Sequence, residues 1–109
     1  MRALLAALVL GSSLHGVVTR GPITPVCKVG VPCNAPAVGA VLVFSSAGHA
    51  TTRVRTGIGG RYSVRLAPGY YSVTLSPLPR IGFGIRPSRV HLAGGVDARL
   101  DFSIDTGIR

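Results

Sequence analysis

The chain has 109 residues and a formal net charge of +9, with 12 basic residues against 3 acidic ones. Its length predicts a single domain with one core, and its 15 glycines and 8 prolines favour short strands over helices. The basic residues are scattered along the chain, which argues against a specific nucleic-acid site. The charge therefore reflects either an arginine-rich composition or an anionic partner.

The first sixteen residues have the pattern of a secretory signal peptide. Arg2 gives a positive start, residues 3–10 are apolar, and small residues follow as far as Gly16. The apolar run is shorter than the roughly 20 residues that span a bilayer. We therefore predict a signal peptide over residues 1–16, a mature chain with no transmembrane span, and a secreted, periplasmic or envelope location. The alternative is an uncleaved anchor that extends to Val18.

Cys27 and Cys33 are the only cysteines of the chain. A pair of this kind forms a disulfide in the oxidising compartment that an export signal implies. A metal site would need nearby histidine, and a redox pair is normally Cys-x-x-Cys. We predict a structural disulfide, no bound metal and no cofactor.

Apolar patterning after the signal peptide predicts an all-β chain that forms a seven-stranded antiparallel sandwich over residues 21–105. The first strand, residues 21–27, is expected at a sheet edge because it contains Pro22 and Pro25. The other strands are expected at residues 38–44, 50–56, 60–66, 71–75, 85–92 and 96–104.

The most regular pattern lies on either side of a Pro-Gly turn at residues 68–69. Apolar side chains alternate there with polar ones, at Tyr62, Val64, Leu66, Tyr71, Val73 and Leu75. Strict alternation on both sides of a tight turn predicts a β-hairpin with its apolar side chains facing a core.

Eight residues around this turn form the motif T-x3-G-x-Y-x3-L-x-P-G-x-Y-x-V. They are Thr56, Gly60, Tyr62, Leu66, Pro68, Gly69, Tyr71 and Val73. The motif resembles that of the carboxypeptidase regulatory-like domains, and residues 36–41 resemble the second strand of that family. The resemblance covers residues 21–104 and implies a prealbumin-like (transthyretin-like) Greek-key sandwich, related in shape to immunoglobulin domains. It implies little about function, because this sandwich is an accessory module in many unrelated proteins.

The enzymes of the transthyretin-like fold hydrolyse purine derivatives and end in Tyr-Arg-Gly-Ser, which this chain lacks. No nucleophile-elbow motif is present, and His49 and His91 have no acid or nucleophile beside them in the sequence. We therefore predict a non-catalytic binding module that acts at the cell surface or in the envelope. A small secreted hydrolase remains the alternative.

Three acidic residues, Asp97, Asp101 and Asp105, are spaced evenly near the end of the chain. Carboxylates four residues apart on a strand are about 13 Å apart, too far to share one calcium ion. The pattern favours a solvated face whose acids pair with arginine.

Two groups of residues are candidates for binding. If residues 50–56 and 60–66 pair, then Arg53, Arg55, Arg61 and Arg65 share one face. Such a stripe needs acids from elsewhere or an anionic partner, such as a cell-wall polymer or a membrane surface. The second group is Leu78, Ile81 and Phe83, in a loop that either contacts another envelope protein or closes the end of the core.

Overall fold

The computed structural model describes residues 11–48, 50–76 and 84–107. Within these residues the chain forms ten strands, one 3-10 helix (Ile58–Gly60) and no α-helix. The strands are β1 (Ser12–Gly21), β2 (Ala35–Pro36), β3 (Val41–Ser45), β4 (Thr52–Arg55), β5 (Arg61–Leu66), β6 (Gly69–Leu75), β7 (Gly84–Arg86), β8 (Arg89–Leu92), β9 (Asp97–Arg99) and β10 (Phe102–Asp105). This described part contains no helix with the length and apolar content that crossing a membrane requires.

Strand β1 organises the first sheet, sheet I, because four other strands pair with it. Residues 12–17 pair antiparallel with β5, and residues 13–15 pair parallel with β9 on the other side. The second half of β1 pairs antiparallel with β2 and parallel with β10, which in turn pairs antiparallel with β7. Successive side chains point to opposite faces, so Leu14 and Val18 enter the core.

Sheet II contains four strands in the order β4-β3-β6-β8, all of them antiparallel. Five connections in the described chain cross between the sheets, and they join β2 to β3, β4 to β5, β5 to β6, β7 to β8 and β8 to β9. Two of them are especially short. Ala67 and Pro68 lead from β5 to β6, and a short segment at Pro87 leads from β7 to β8. The predicted strand 85–92 is thus divided between the two sheets.

The core lies between the sheets and is centred on three aromatic rings. Phe44 of sheet II meets Phe102 of sheet I edge to face, with ring centroids 6.2 Å apart. Tyr62 packs against Phe102 from β5, with centroids 5.5 Å apart. All three side chains are buried, and burying one ring of this size contributes about 1.5–3 kcal/mol to stability. The all-β sandwich predicted from the sequence is confirmed, although two of the strand pairs around β1 are parallel.

The structure corrects the position of the first strand. Residues 22–27, predicted to be an edge strand, form no strand, and the first strand is instead the central β1. The sandwich therefore begins at Ser12, before the predicted boundary at residue 21. Leu14 is only 1% exposed, so cleavage at residue 16 would remove part of the core. Residues 1–10, the remainder of the predicted signal peptide, lie outside the described residues.

The predicted hairpin at residues 60–75 is wrong. Strand β5 pairs with β1 in sheet I, whereas β6 pairs with β3 and β8 in sheet II. The Pro-Gly turn is instead a corner between the sheets, where Gly69 adopts a φ of 146° that favours glycine. Alternation fixes which side chains face the core, but the same pattern is satisfied by two strands that face each other across it.

The motif residues surround this corner and the connection from β4 to β5. The hydroxyl of Tyr71 donates to the carbonyl of Ala67 across the corner, at 2.6 Å. Leu66 and Val73 are buried in the core on opposite sheets. Pro68 precedes Gly69 in the corner itself. Each of these residues therefore has a role in building the fold.

A disulfide-closed loop connects β1 to β2. Cys27 and Cys33 are bonded, as predicted, with their Cα atoms 5.5 Å apart. The backbone N–H of Ile23 donates to the carbonyl of Cys33 at 2.8 Å. A disulfide that closes so short a loop contributes roughly 2 kcal/mol by restricting the unfolded chain.

Candidate functional site

The connection from β4 to β5 brings the edges of the two sheets together. Thr56 fixes its start, because the Oγ1 hydroxyl donates to the carbonyl of Ala37 and accepts from the backbone N–H of Ala40. Further on, the N–H of Gly57 donates to the carbonyl of Arg61 at 2.8 Å. These bonds hold the end of β4 beside the start of β5.

A cleft of about 560 Å³ opens at this seam and continues over the outer face of sheet I. We call it the arginine cleft. Its lining residues are His15, Gly16, Val17, Val54, Arg55, Arg61, Tyr62, Ser63 and Arg99.

Three guanidinium groups line the arginine cleft, and no carboxylate does. Arg99 is paired with Asp101, with 3.3 Å between Nε and Oδ1. Arg55 donates from Nη1 to the carbonyl of Gly39 at 3.1 Å. The side chain of Arg61 forms neither an ion pair nor a hydrogen bond within the described part of the chain. The charges of Arg55 and Arg61 are therefore uncompensated by any acid described here.

The structure corrects the predicted four-arginine stripe. Strands β4 and β5 lie in different sheets, so their arginines do not share a face. Arg53 lies opposite Val43 in sheet II, whereas Arg65 lies opposite Ser13 in sheet I. Of the four, only Arg55 and Arg61 line the same cleft, because they flank the connection that crosses the seam.

Gly16 and Val17 form one wall of the cleft, and they contact the two residues that separate β9 from β10, Leu100 and Asp101. The Asp101 carboxylate turns back to β1 and accepts from the backbone N–H of Val17 at 2.9 Å. Gly16 leaves room for this approach, since a Cβ at that position would lie 2.2 Å from the carbonyl oxygen of Leu100. The hydroxyl of Tyr62 donates to the same oxygen at 2.5 Å.

Two pKa values respond to this arrangement. The hydrogen bond from Val17, followed by that from Arg99, lowers the pKa of Asp101 below its ordinary 3.8. Burial, and to a lesser degree the charge of Asp101, raises the pKa of Tyr62 above its ordinary value. Asp101 is therefore held charged, and Tyr62 is held neutral as a donor.

We expect Asp101→Asn to make the free energy of unfolding less sensitive to acidic pH. The folded chain binds the Asp101 proton less tightly than the unfolded chain, so the charged carboxylate stabilises the fold above pH 3.8. This contribution is lost as the pH falls through the lowered pKa. Urea unfolding should show that the free energy of unfolding falls less for Asp101→Asn than for the unaltered chain between mildly and strongly acidic pH. Equal losses would contradict the assigned role of the Val17 bond.

A serine, an aspartate and a histidine meet on the outer face of sheet I, and the histidine is His15 rather than either of the two considered from the sequence, His49 and His91. The hydroxyl of Ser13 donates to Asp97 Oδ1 at 2.9 Å, and His15 Nδ1 lies 3.3 Å from the same oxygen. In a catalytic triad the histidine lies between serine and acid so that it can accept the serine proton. Here the carboxylate lies between them, so Ser13 is not activated as a nucleophile.

The remaining predicted residues add no second group to this site. Leu78, Ile81, Phe83 and His49 lie outside the described residues. His91 lies on sheet II beside Tyr70, in a separate cleft. No group of three or more His, Cys, Asp or Glu side chains in the described chain could hold a metal ion.

Comparisons with known proteins give structural neighbours only. No family model matches the sequence, and no curated protein matches it. The TIE protein of Bacillus anthracis is similar in structure, with a TM-score of 0.58 and 19% identity over 88% of this chain and 16% of that chain. A DUF3823 family protein from Parabacteroides merdae has a TM-score of 0.52 and 18% identity over 88% of this chain and 46% of that one.

These likenesses show the fold alone, since the identities are low. The chain spans less than half the length of either neighbour. The arginine cleft must therefore be interpreted from its own chemistry.

Proposed function

We propose that this chain is an exported, non-catalytic binding module that holds an anionic surface polymer in the arginine cleft. The observation that supports this most strongly is that Arg55 and Arg61 line the same cleft at the seam, and that no carboxylate lines it. Like charges that share one cleft repel each other, and an anion bound there would relieve that repulsion. A folded chain that retains this arrangement is suited to an anionic ligand.

The chemistry of guanidinium supports phosphate or carboxylate as the bound group. Its planar set of N–H donors matches the oxygen pairs of both anions and can bind them through two parallel hydrogen bonds. Arg61 is exposed and has its donors available, while Arg99 is already held by Asp101. We infer that Arg61 makes the primary contact and that Arg55 adds a second one.

The module type that we propose is a carboxypeptidase regulatory-like domain. The motif residues Thr56, Tyr62 and Tyr71 form hydrogen bonds to backbone groups outside the strands, as expected of residues that define a fold. Export is supported by the disulfide, since such bonds persist in oxidising compartments. We revise the leader to end before Ser12, because residues 12–16 belong to β1.

The non-catalytic assignment is supported by the order of contacts at Ser13, Asp97 and His15. The imidazole is not placed to accept a proton from the hydroxyl, which nucleophilic catalysis by serine requires. The open arginine cleft instead suits a long, flexible ligand that makes several exposed ionic contacts. Such binding is expected to weaken as salt is added.

Two double variants test this proposal. Arg55→Gln with Arg61→Gln removes the cleft charges, whereas Arg53→Gln with Arg65→Gln removes the same net charge elsewhere. Binding of poly(glycerol phosphate), measured by calorimetry, should weaken by at least about tenfold in the cleft variant, since hydrogen bonds to charged groups are worth about 1.5–3 kcal/mol each. The control variant should change little.

Equal weakening in both variants would show that binding depends on overall charge, and it would overturn the cleft as the site. Failure of the unaltered chain to bind the polymer at low salt would reject an anionic phosphate ligand.

A further inference from the structure

A second cleft lies on the outer face of sheet II, around a stacked pair of aromatic rings. Tyr70 of β6 is the register partner of His91 of β8. Their rings lie nearly parallel, with centroids 4.2 Å apart and planes inclined by 16°. Tyr70 is 73% exposed although its neighbour Tyr71 is buried. The fold thus presents a flat aromatic surface to solvent.

Polar side chains form the next row on the same face. Ser45, Ser72 and Arg89 are consecutive register partners across β3, β6 and β8. Ser72 and Arg89 are each two residues from the stacked pair, so they lie on the same face of the sheet as the rings. The open cleft has a volume of about 1080 Å³ and is lined by no carboxylate.

We propose that this second cleft binds an acidic sugar unit, such as a uronic acid, within a polysaccharide. A pyranose ring has a face of C–H groups, and the electron-rich face of an aromatic ring attracts their partial positive charge. The sugar hydroxyls around that face need donors and acceptors, which Ser45 and Ser72 supply. The guanidinium of Arg89 binds the carboxylate of the sugar.

The combination of groups favours a sugar over other flat ligands. A purely apolar ligand would leave the serine hydroxyls and Arg89 without partners, which lowers affinity. A neutral sugar would use the rings and hydroxyls but leave the charge of Arg89 uncompensated. This inference stands apart from the arginine cleft, because the two clefts share no lining residue.

Titration of the isotope-labelled full chain with trigalacturonate, followed by NMR, tests the proposal. The side-chain resonances of Tyr70 and His91 should shift progressively, and they should shift equally in the Arg55→Gln with Arg61→Gln variant, in which the arginine cleft no longer binds the carboxylates. Tyr70→Ala should abolish the shift at His91 while the melting temperature stays unchanged, because Tyr70 is exposed. Tyr70→Phe retains the ring and should bind within a few-fold of the unaltered chain. Arg89→Gln should weaken the binding of trigalacturonate about tenfold. The unaltered chain should bind the neutral sugar cellotriose only weakly.

Several results would overturn the proposal. They are the absence of shifts at Tyr70 and His91, equal binding of cellotriose and trigalacturonate, and full retention of binding in Tyr70→Ala. Stronger binding of an oligothymidylate would assign the rings to nucleobase stacking instead. Because poly(glycerol phosphate) contains no sugar ring, failure at this cleft and failure at the arginine cleft can be distinguished.

Discussion

A chain that lacks residues 1–16 is expected not to fold. Residues 12–16 occupy the centre of sheet I, where they pair with β5 on one side and with β9 on the other. Their removal leaves both neighbours without a partner at this position and takes Leu14 out of the core. The loss of one such leucine side chain alone costs about 2–5 kcal/mol. Since a domain of this kind is stable by about 5–15 kcal/mol, the additional loss of strand pairing should unfold it.

A second truncation provides the control. Removal of residues 1–10 leaves every described residue in the chain, including all of β1. Amide proton spectra should be well dispersed for the chain that begins at residue 11 and collapsed for the chain that begins at residue 17. A folded chain that begins at residue 17 would show that β1 is dispensable and would restore the predicted boundary near residue 21.

Gly60→Ala is expected to lower the free energy of unfolding by about 3 kcal/mol or more. Gly60 adopts a φ of 76°, and a Cβ there would lie 2.3 Å from the carbonyl oxygen of Val18 and 3.1 Å from the backbone nitrogen of Ala37. These atoms belong to a backbone hydrogen bond, from Ala37 N to Val18 O at 2.8 Å. The methyl group therefore adds a backbone collision to the strain of a positive φ.

Gly59→Ala is the matched control. Gly59 has nearly the same conformation, with a φ of 73°, but the closest atom to its Cβ position belongs to the flexible Arg61 side chain, at 3.9 Å. The free energy of unfolding of this variant should fall only by what the left-handed conformation costs a residue with a side chain, about 1–2 kcal/mol. Thermal unfolding should place Gly60→Ala well below Gly59→Ala in Tm. Equal Tm values would mean that the approach of Val18 to Gly60 does not constrain this position.

Much of the strand layout could be predicted because alternation is a local property. Tyr62 and Leu66, and likewise Tyr71 and Val73, are buried as their period-two spacing predicts. The choice of partner strand is not local. The hairpin was wrong because a turn at Pro68 and Gly69 can either reverse a strand within a sheet or carry it across to the other sheet.

The sequence does not reveal the start of the first strand, because residues 12–16 directly follow the apolar run and include the small residues typical of a leader's cleavage region. Two features that define it are tertiary. Gly16 provides the space for the Leu100 carbonyl, and Ser12 donates to the carbonyl of Ala93 at 2.5 Å. Neither contact has a sequence signal, since more than 80 residues separate each pair along the chain.

The candidate site shows the same division between local and tertiary information. The abundance of arginine was evident in the sequence, but which arginines meet depends on the crossing from β4 to β5. Arg55 and Arg61 line one cleft because Thr56 and Gly57 fix that connection. His15 lines the same cleft only because of the placement of β1, whose residues 12–16 fall within the predicted leader.

The most direct test of the arginine cleft is an NMR titration of the full chain with poly(glycerol phosphate), with the arginine side chains observed. We expect the Nε–H resonances of Arg55 and Arg61 to shift most, those of Arg99 to shift less, and those of Arg53 and Arg65 to stay in place. The shifts should disappear at high salt. Shifts of similar size at all five arginines, or shifts confined to Arg53 and Arg65, would contradict the assignment of the arginine cleft as the binding site.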